Sequence, residues 1–188
     1  ANKPSPTLTN SLGTGRTAVA LGSGVGHTCA ILDNGDVSCW GENSNGQLGN
    51  GGTSDKTTPT LTSSLGTGRT AVALSAGRFH TCAILDNGDV SCWGLNRDGQ
   101  LGCGSCGNQK NTPTLTSSLG TGRTAVAISS GGYHTCVILD NGAVSCWGTG
   151  SYGVLGNGAS NAGVKDTPTL TSSLCSGRTA VALSSGLE

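Results

Sequence analysis

Large apolar side chains are scarce in this chain of 188 residues: methionine is absent, phenylalanine occurs once, tyrosine twice and tryptophan three times. A core must therefore come from Val, Leu, Ile and Ala on many short elements. No apolar stretch approaches the length of a membrane span, and no signal peptide is recognisable. Glycine, at 33 residues, is well above its average share of about 7%. This composition favours strands and turns over helices.

Charge of either sign is also sparse, and the ten basic and ten acidic residues cancel without forming a run. A surface that binds nucleic acid normally carries a basic patch, so we predict no nucleic-acid partner. The chain starts at Ala1, and we interpret its last two residues, 187–188, as a remnant of an expression vector. We therefore expect a mature fragment whose natural ends are not included.

What the chain has in abundance is repetition. The segment HTCAILDNGDVSCW starts at His27, returns unchanged at His80 and returns with two substitutions at His134. The proline of a PTLT segment recurs at a similar spacing of 53 to 55 residues. We divide the single repeat domain, residues 1–188, into units at about 4–56, 57–110 and 111–165, with a partial fourth unit at 166–186.

Each unit contains four predicted strands, which in the second copy lie around residues 60–65, 71–75, 80–85 and 89–93. Thr, Val, Ile and Leu dominate them, and Gly, Asn, Asp and Pro separate them. No segment has a sustained helical period, which excludes solenoids of helix pairs. Four short strands in a repeated unit indicate an all-β fold of β-propeller blades, each with four antiparallel strands.

The repeated segment is predicted to be a β-hairpin with one of two registers. If Asn34 and Gly35 form a type I′ turn, Cys29 faces Trp40. If Gly35 is instead a left-handed bulge after a type I turn, Cys29 faces Cys39, close enough for a disulfide.

The ten-residue cysteine spacing occurs in every complete unit. It predicts three disulfides, which are Cys29–Cys39, Cys82–Cys92 and Cys136–Cys146. Zinc is the alternative, but each unit offers it only two Cys and one His, and free thiols are a third option. Disulfides imply an oxidising compartment, so we expect a secreted, cell-surface or periplasmic protein.

Three cysteines lie outside this pattern. Cys103 and Cys106 form a C-x-x-C pair, for which we favour a local disulfide over a redox centre or half a zinc site. Cys175 replaces a glycine of the repeat and is predicted to be unpaired or to form an intermolecular bond.

Each unit also carries G-x-x-H, a D-x-G turn and a strand that ends in W-G, and the first two units continue with N-x-x-G-Q-L-G. This order resembles the regulator of chromosome condensation repeat. The third unit departs from it at Val154, where the others have glutamine. The resemblance implies a propeller of about seven blades, with AVALSSG as the innermost strand and PTLTSSL as the outermost.

This chain has too few units for such a ring. It is predicted to begin with an outer and an inner strand and to end with an inner strand at 180–184. Either it is part of a longer propeller, or copies assemble with exchanged terminal strands, for example as a homodimer.

Proteins of the family this chain resembles act mostly as binding scaffolds. We therefore predict an extracellular binding or structural propeller that presents its variable loops, residues 43–58, 96–112 and 149–167, to a protein or another ligand. The sequence specifies no cofactor and no metal site.

The alternative is a hydrolase that uses His27, His80 or His134 with a Ser or Thr nucleophile or a metal. We consider an enzyme less favoured because no positioned partner for these histidines is evident. In the structural interpretation each histidine bonds a neighbouring blade's backbone, and each tryptophan packs between blades.

Overall fold

The computed structural model describes residues 8–175 and 177–186, which form three antiparallel sheets in sequence order. The first sheet contains β1 (Ala18–Ser23), β2 (His27–Leu32), β3 (Val37–Gly41) and β4 (Lys56–Leu61). The second contains β5 (Ala71–Ala76), β6 (His80–Leu85), β7 (Val90–Leu95) and β8 (Gln109–Leu115). The third contains β9 (Ala125–Ser130), β10 (His134–Leu139), β11 (Val144–Thr149) and β12 (Val164–Leu170). Strands follow one another across each sheet, as in a propeller blade.

The first strands of the three sheets lie side by side, since β5 contacts both β1 and β9. They are therefore the inner strands, and β4, β8 and β12 are the outer ones. The only helix among the described residues is the three-residue 3-10 turn Ser151–Gly153, and none of the described helices could cross a membrane. The predicted all-β blades are confirmed.

The core lies between the sheets. Ile31 and Leu48 of the first blade are buried in one cluster with Leu85 and Trp93 of the second. A matching cluster joins the second blade to the third. Because each sheet buries one face against the next blade, small aliphatic side chains suffice to fill the interior.

The outer strand begins earlier than the sequence predicted. We expected it at 60–65, but β4 ends at Leu61. Thr62 N–H still bonds the carbonyl of Val37, and Ser63 N–H then bonds the carbonyl of Gly49 in the preceding loop. The bond to Gly49 directs the chain away from the sheet. The β-favouring Thr-Leu-Thr segment therefore extends beyond the end of the strand, and its limits do not predict those of the strand.

The terminal strands also differ from expectation. The predicted outer strand around Pro6 lies largely outside the described residues. Residues 180–184 do not form a strand, because the described residues supply no neighbouring strand for them. The segment is nevertheless held in place: Ala180 N–H bonds the carbonyl of Gly142 at 2.9 Å, as Ala71 and Ala125 bond the preceding blades.

Candidate functional site

The repeated hairpin adopts the bulged register. Cys29 lies opposite Cys39, Leu32 and Asp36 are joined by a backbone hydrogen bond of 2.8 Å, and Gly35 has a φ of 81°. The left-handed residue after the turn is what the bulge requires and what glycine supplies without strain. The type I′ register is wrong.

This register brings the cysteines of each hairpin together. The Cα atoms of Cys29 and Cys39 are 4.1 Å apart, with their sulfurs at disulfide distance. The other two hairpins have the same arrangement, at Cys82 and Cys92 and at Cys136 and Cys146. Within the described residues, no group of three or more His, Cys, Asp or Glu could hold a metal ion.

The histidines of the first two hairpins face the next blade rather than a solvent-filled site. His27 Nε2 lies 2.8 Å from Thr81 Oγ1, and the Thr81 hydroxyl donates to the carbonyl of Gln47 at 2.9 Å. Trp93 Nε1 donates to the same carbonyl at 2.9 Å. The first blade thus supplies a histidine and a carbonyl, and the second supplies a threonine and a tryptophan.

The same four groups recur between the second and third blades. His80 Nε2 lies 2.9 Å from Thr135 Oγ1, and Thr135 and Trp147 both donate to the carbonyl of Gln100. The histidine's partner is therefore a side-chain hydroxyl and not the backbone that we expected. A hydroxyl both donates and accepts, which allows it to connect the imidazole to the carbonyl. We call this set of four groups the blade lock.

The hydrogen-bond directions fix the state of the imidazole. Since the Thr81 hydroxyl donates its proton to Gln47, His27 must donate from Nε2. His27 Nδ1 is then an acceptor, and it has no partner among the described residues. Burial lowers the pKa of His27 from 6.5 to about 4. Burial, with the charges of His27 and His134, lowers the pKa of His80 to about 3. Both rings are therefore neutral at pH 7.

A glycine keeps the blades this close. A Cβ on Gly24 would meet the carbonyl oxygen of Gly77 in the next blade and the ring of His27. The G-x-x-H pattern thus has a steric cause: the glycine leaves room for the imidazole and for the neighbouring backbone.

The third histidine and the first tryptophan are not part of a complete blade lock, because each lies at one end of the row of three blades. His134 is 4% exposed, and burial lowers its pKa, but no threonine of the described residues binds its Nε2. Trp40 is half-buried, whereas Trp93 and Trp147 are fully buried. The predicted packing of tryptophan between blades therefore applies to Trp93 and Trp147.

The loops after G-Q-L-G are organised by an asparagine. Asn43 donates to the carbonyls of Gly52 and Ser54 and accepts from Leu48 N–H. In the second blade, Asn96 donates to the carbonyl of Gly107 and to Cys106 Sγ.

Cys103 and Cys106 lie at disulfide distance in this loop, with Cα atoms 5.8 Å apart. Cys175, by contrast, is exposed and free. Its φ is 100°. A residue with a side chain is strained in this conformation, whereas Gly66 and Gly120, at the equivalent positions, adopt a positive φ without strain.

Besides the variable loops, the repeats diverge at positions that flank the hairpin. Their hairpins differ only at Val137 and Ala143. Both residues before each histidine differ between all repeats, and so do the first and the fourth of the four residues after each Trp-Gly pair. We call these positions the divergent face; they are residues 25–26, 42–45, 78–79, 95–98, 132–133 and 149–152.

The divergent positions are contiguous in space because the backbone joins them in every blade. The amide of Glu42 bonds the carbonyl of Gly26 at 2.8 Å, Leu95 bonds Phe79 at 2.9 Å, and Thr149 bonds Tyr133 at 3.0 Å. An unchanged backbone therefore presents different side chains at equivalent places.

An aromatic and arginine cluster lies on this face. The rings of Phe79 and Tyr133, from neighbouring blades, have centroids 6.2 Å apart. The guanidinium carbon of Arg78 lies 5.1 Å from the Phe79 centroid and 5.8 Å from that of Tyr133. These distances are typical of cation–π contacts.

A cleft of about 560 Å³ opens beside the cluster. It is lined by residues of all three blades: Asn45, Phe79, Leu95, Arg97, Asp98, Tyr133 and Thr149. Most of its lining is polar or charged, and Phe79 and Leu95 provide the apolar part. None of the three histidines lines this cleft; His27 and His80 instead bind threonines of the next blade.

The sequence interpretation included Arg97 and Asp98 within a variable loop but missed Arg78, Phe79 and Tyr133. They precede the histidine in G-x-x-H, where we read the intervening residues as part of a turn. An alignment of the repeats would have identified them, because this pair of residues is Val-Gly in the first repeat, Arg-Phe in the second and Gly-Tyr in the third.

Models of the regulator of chromosome condensation (RCC1) repeat match the chain, one at residues 18–47, 71–100 and 125–154 and another at 34–84 and 87–138. Among curated proteins, the human E3 ubiquitin-protein ligase HERC2 is 34% identical over 76% of this chain, which spans 3% of that protein. The ultraviolet-B receptor UVR8 of Arabidopsis thaliana is 35% identical over 73% of this chain, which spans 31% of the receptor.

Among solved structures, yeast RCC1 (Prp20) bound to Kap60 aligns with 96% of this chain at a TM-score of 0.76 and 18% identity. The match covers 41% of that protein. Human WBSCR16 aligns with 81% of this chain at a TM-score of 0.73 and 24% identity, over 37% of its own length. Both likenesses concern the fold.

Proposed function

Since the chain belongs to the regulator of chromosome condensation (RCC1) repeat family, we propose that it is a protein-binding propeller module that recognises its partner through the divergent face. Divergence between otherwise near-identical repeats carries this proposal. Aromatic residues and arginine are enriched in the energetically important parts of protein interfaces, and this face gathers Arg78, Phe79 and Tyr133 around one cleft. The solved relative Prp20p is described as binding Gsp1p and histones.

Affinity capture tests this proposal. The immobilised chain is exposed to the extracellular proteins of the organism that encodes it, in parallel with a Phe79→Ala/Tyr133→Ala variant. A Val72→Ala/Val126→Ala variant is the control, because it also truncates two solvent-accessible side chains, each 60% exposed, but these lie on the inner strands. A specific partner is retained by the parent and the control and lost by the face variant. Equal capture by all three would overturn the proposal.

We further propose that the module works in an oxidising compartment. Four cysteine pairs lie at disulfide distance, and such pairs persist outside the cytosol. Mass spectrometry of the natural protein without reductant tests this proposal: the three hairpin pairs should resist alkylation. Six alkylated hairpin cysteines would contradict it.

Self-association through terminal strands is a further proposal. Residues 17–21 and 179–183 have the same sequence, TAVAL, so the terminal segment of one copy could pair with β2 of another in place of β1. Sedimentation of the chain over a range of concentrations should then show a dimer that is lost when residues 179–188 are deleted. A chain that remains monomeric throughout would exclude this pairing.

The hydrolase alternative finds no supporting observation in the histidines. His27, His80 and His134 are at most 4% exposed, and the first two bind threonines of the next blade. A nucleophile or substrate would have to separate the blades to reach them.

A further inference from the structure

The arginines of this chain fall into two groups. Arg16, Arg69 and Arg123 occupy the same place in each repeat, and each forms an ion pair with an aspartate of its hairpin turn. The pairs are Arg16–Asp33 at 3.3 Å, Arg69–Asp86 at 3.2 Å and Arg123–Asp140 at 3.1 Å. The three complete repeats thus supply a carboxylate for this arginine, whereas Arg178, at the same place in the partial fourth unit, has no ion pair within the described residues.

Arg78 and Arg97 depart from this rule. Both occur in the second blade alone. At the position of Arg78, the first blade has Val25 and the third has Gly132. Both are exposed, and neither forms an ion pair or a side-chain hydrogen bond with any described residue. They are arginines on the divergent face without the carboxylate that the repeat arginines have.

The geometry prepares Arg78 for an acceptor. Its guanidinium lies over the rings of Phe79 and Tyr133, which restrains the side chain while leaving its N–H edge without a partner. A planar guanidinium with a free edge binds a carboxylate through two parallel hydrogen bonds. Restraint before binding reduces the entropy that a ligand must overcome.

Arg97 lies on the cleft that these rings line. Asp98 is the acidic residue of the cleft lining, while Asn45 and Thr149 are neutral. Arg78 and Arg97 against Asp98 leave the site with a net positive charge at its mouth. Glu42 is on the same face but in the first blade, where it accepts a hydrogen bond from Ser44.

An apolar subsite adjoins these charges. Phe79, Tyr133 and Leu95 line the cleft together, and Leu95 is 8% exposed. A volume of about 560 Å³ is enough for a few side chains of a bound segment.

We infer that the divergent face binds an acidic, extended protein segment in which a carboxylate neighbours an apolar side chain. The carboxylate pairs with Arg78 and Arg97, and the apolar side chain packs in the cleft against Phe79, Tyr133 and Leu95. This inference rests on the proposed protein-binding function and specifies the chemistry of the partner.

The probe is a pair of synthetic peptides, N-acetyl Gly-Glu-Leu-Glu-Gly amide and the same peptide with glutamine for both glutamates. Each is titrated into the full chain and followed by amide chemical shifts in two-dimensional NMR. We expect the glutamate peptide to bind about tenfold more tightly, as suits a charge-assisted contact. The affected amides should lie at residues 78–79, 95–98 and 132–133.

Variants separate the charges from the rings. Arg78→Gln should reduce the preference for the glutamate peptide to about twofold or less. Arg69→Gln is the matched control, since it removes an exposed arginine that already has Asp86 as its partner, and it should preserve the preference. Raising the salt concentration should weaken the glutamate peptide more than the glutamine peptide.

The outcomes distinguish this inference from the function on which it rests. Equal affinity for both peptides, or no shifts at the cleft with either, would overturn the acidic partner. If Phe79→Ala/Tyr133→Ala still abolished capture of a natural partner, the protein-binding function would stand with a partner of another chemistry. Loss of preference in Arg69→Gln would show a general charge effect and also overturn the inference.

Discussion

The contact between blades and the divergent face lie a few residues apart in each repeat, yet they differ in every physical respect. The blade lock is buried, neutral and nearly identical in its two occurrences, with distances that agree within 0.1 Å. The divergent face carries the exposed, charged Arg78 and Arg97, and its side chains change from blade to blade. His80 belongs to the first region and its neighbour Phe79 to the second. Stability and recognition are therefore separable by single substitutions.

Acidification should give the largest effect, because it acts on all blade locks together. The pKa values of His27 and His80 in the folded state lie near 4 and 3, below the ordinary 6.5. The unfolded chain therefore binds more protons in this window, and the free energy of unfolding falls as the pH falls below 6.5. At about 1.4 kcal/mol per pH unit for each histidine, two units cost about 5 kcal/mol.

Urea unfolding followed by circular dichroism between pH 7.5 and 4.5 would measure this loss. In a His27→Gln/His80→Gln variant the slope should become much shallower, although the variant itself is less stable at pH 7. An equal slope in both proteins would assign the acid sensitivity to other groups.

Trp93→Ala should destabilise the fold by about 4 kcal/mol, because it leaves a cavity in a close-packed core and removes a donor to Gln47. Trp40→Ala, at the half-buried equivalent in the first blade, should cost only about 1 to 2 kcal/mol. Thermal and urea unfolding of the two variants would compare them. Similar losses of unfolding free energy in the two variants would mean that the tryptophan stabilises its own blade rather than the contact between blades.

Thr81→Val keeps the shape of the side chain but removes the hydroxyl between His27 and Gln47. It should cost about 1 to 3 kcal/mol, since the buried imidazole N–H is left without an acceptor. Thr28→Val is the matched control: the equivalent hydroxyl in the first blade has no blade-lock partner within the described residues, and its loss should cost less than about 0.5 kcal/mol. If Thr81→Val and Thr28→Val lowered the free energy of unfolding equally, the blade lock would not be a source of stability.

Phe79→Ala should have the smallest effect on unfolding, less than about 1 kcal/mol, because the first blade has Gly26 at the same backbone position. Differential scanning calorimetry of this variant alongside His80→Ala would test the boundary between the two regions. A loss for Phe79→Ala comparable with that for His80→Ala would show that the face supports the blades as well.

Much of the fold was predictable because repetition multiplies weak signals. A single hairpin leaves the register of Cys29 open, but the cysteine spacing in each unit favours the bulged alternative that the structure adopts. The outer strand was misplaced because its limits depend on backbone bonds with distant loops, such as that between Ser63 and Gly49, which local propensity does not encode.

The site was harder to predict than the blades. From the sequence, His27 is a candidate for a reactive residue. Only the position of the neighbouring blade shows that its Nε2 is hydrogen-bonded to Thr81. Arg78 and Phe79 looked like turn residues, and their role depends on Tyr133, which is more than 50 residues away in sequence and 6.2 Å away from Phe79 between ring centroids. Three-dimensional proximity between successive repeats is what the linear pattern lacks.

The blade lock has a polarity. Its histidine and carbonyl always come from the earlier blade, and its threonine and tryptophan from the later one, with His27 and Thr81 54 residues apart. Each blade therefore supplies the hydrogen-bond partners of the histidine and the carbonyl that the preceding blade presents. Such nearest-neighbour coupling makes the molecule a directional array, in which a blade added after the last one would find a histidine already in place to receive it.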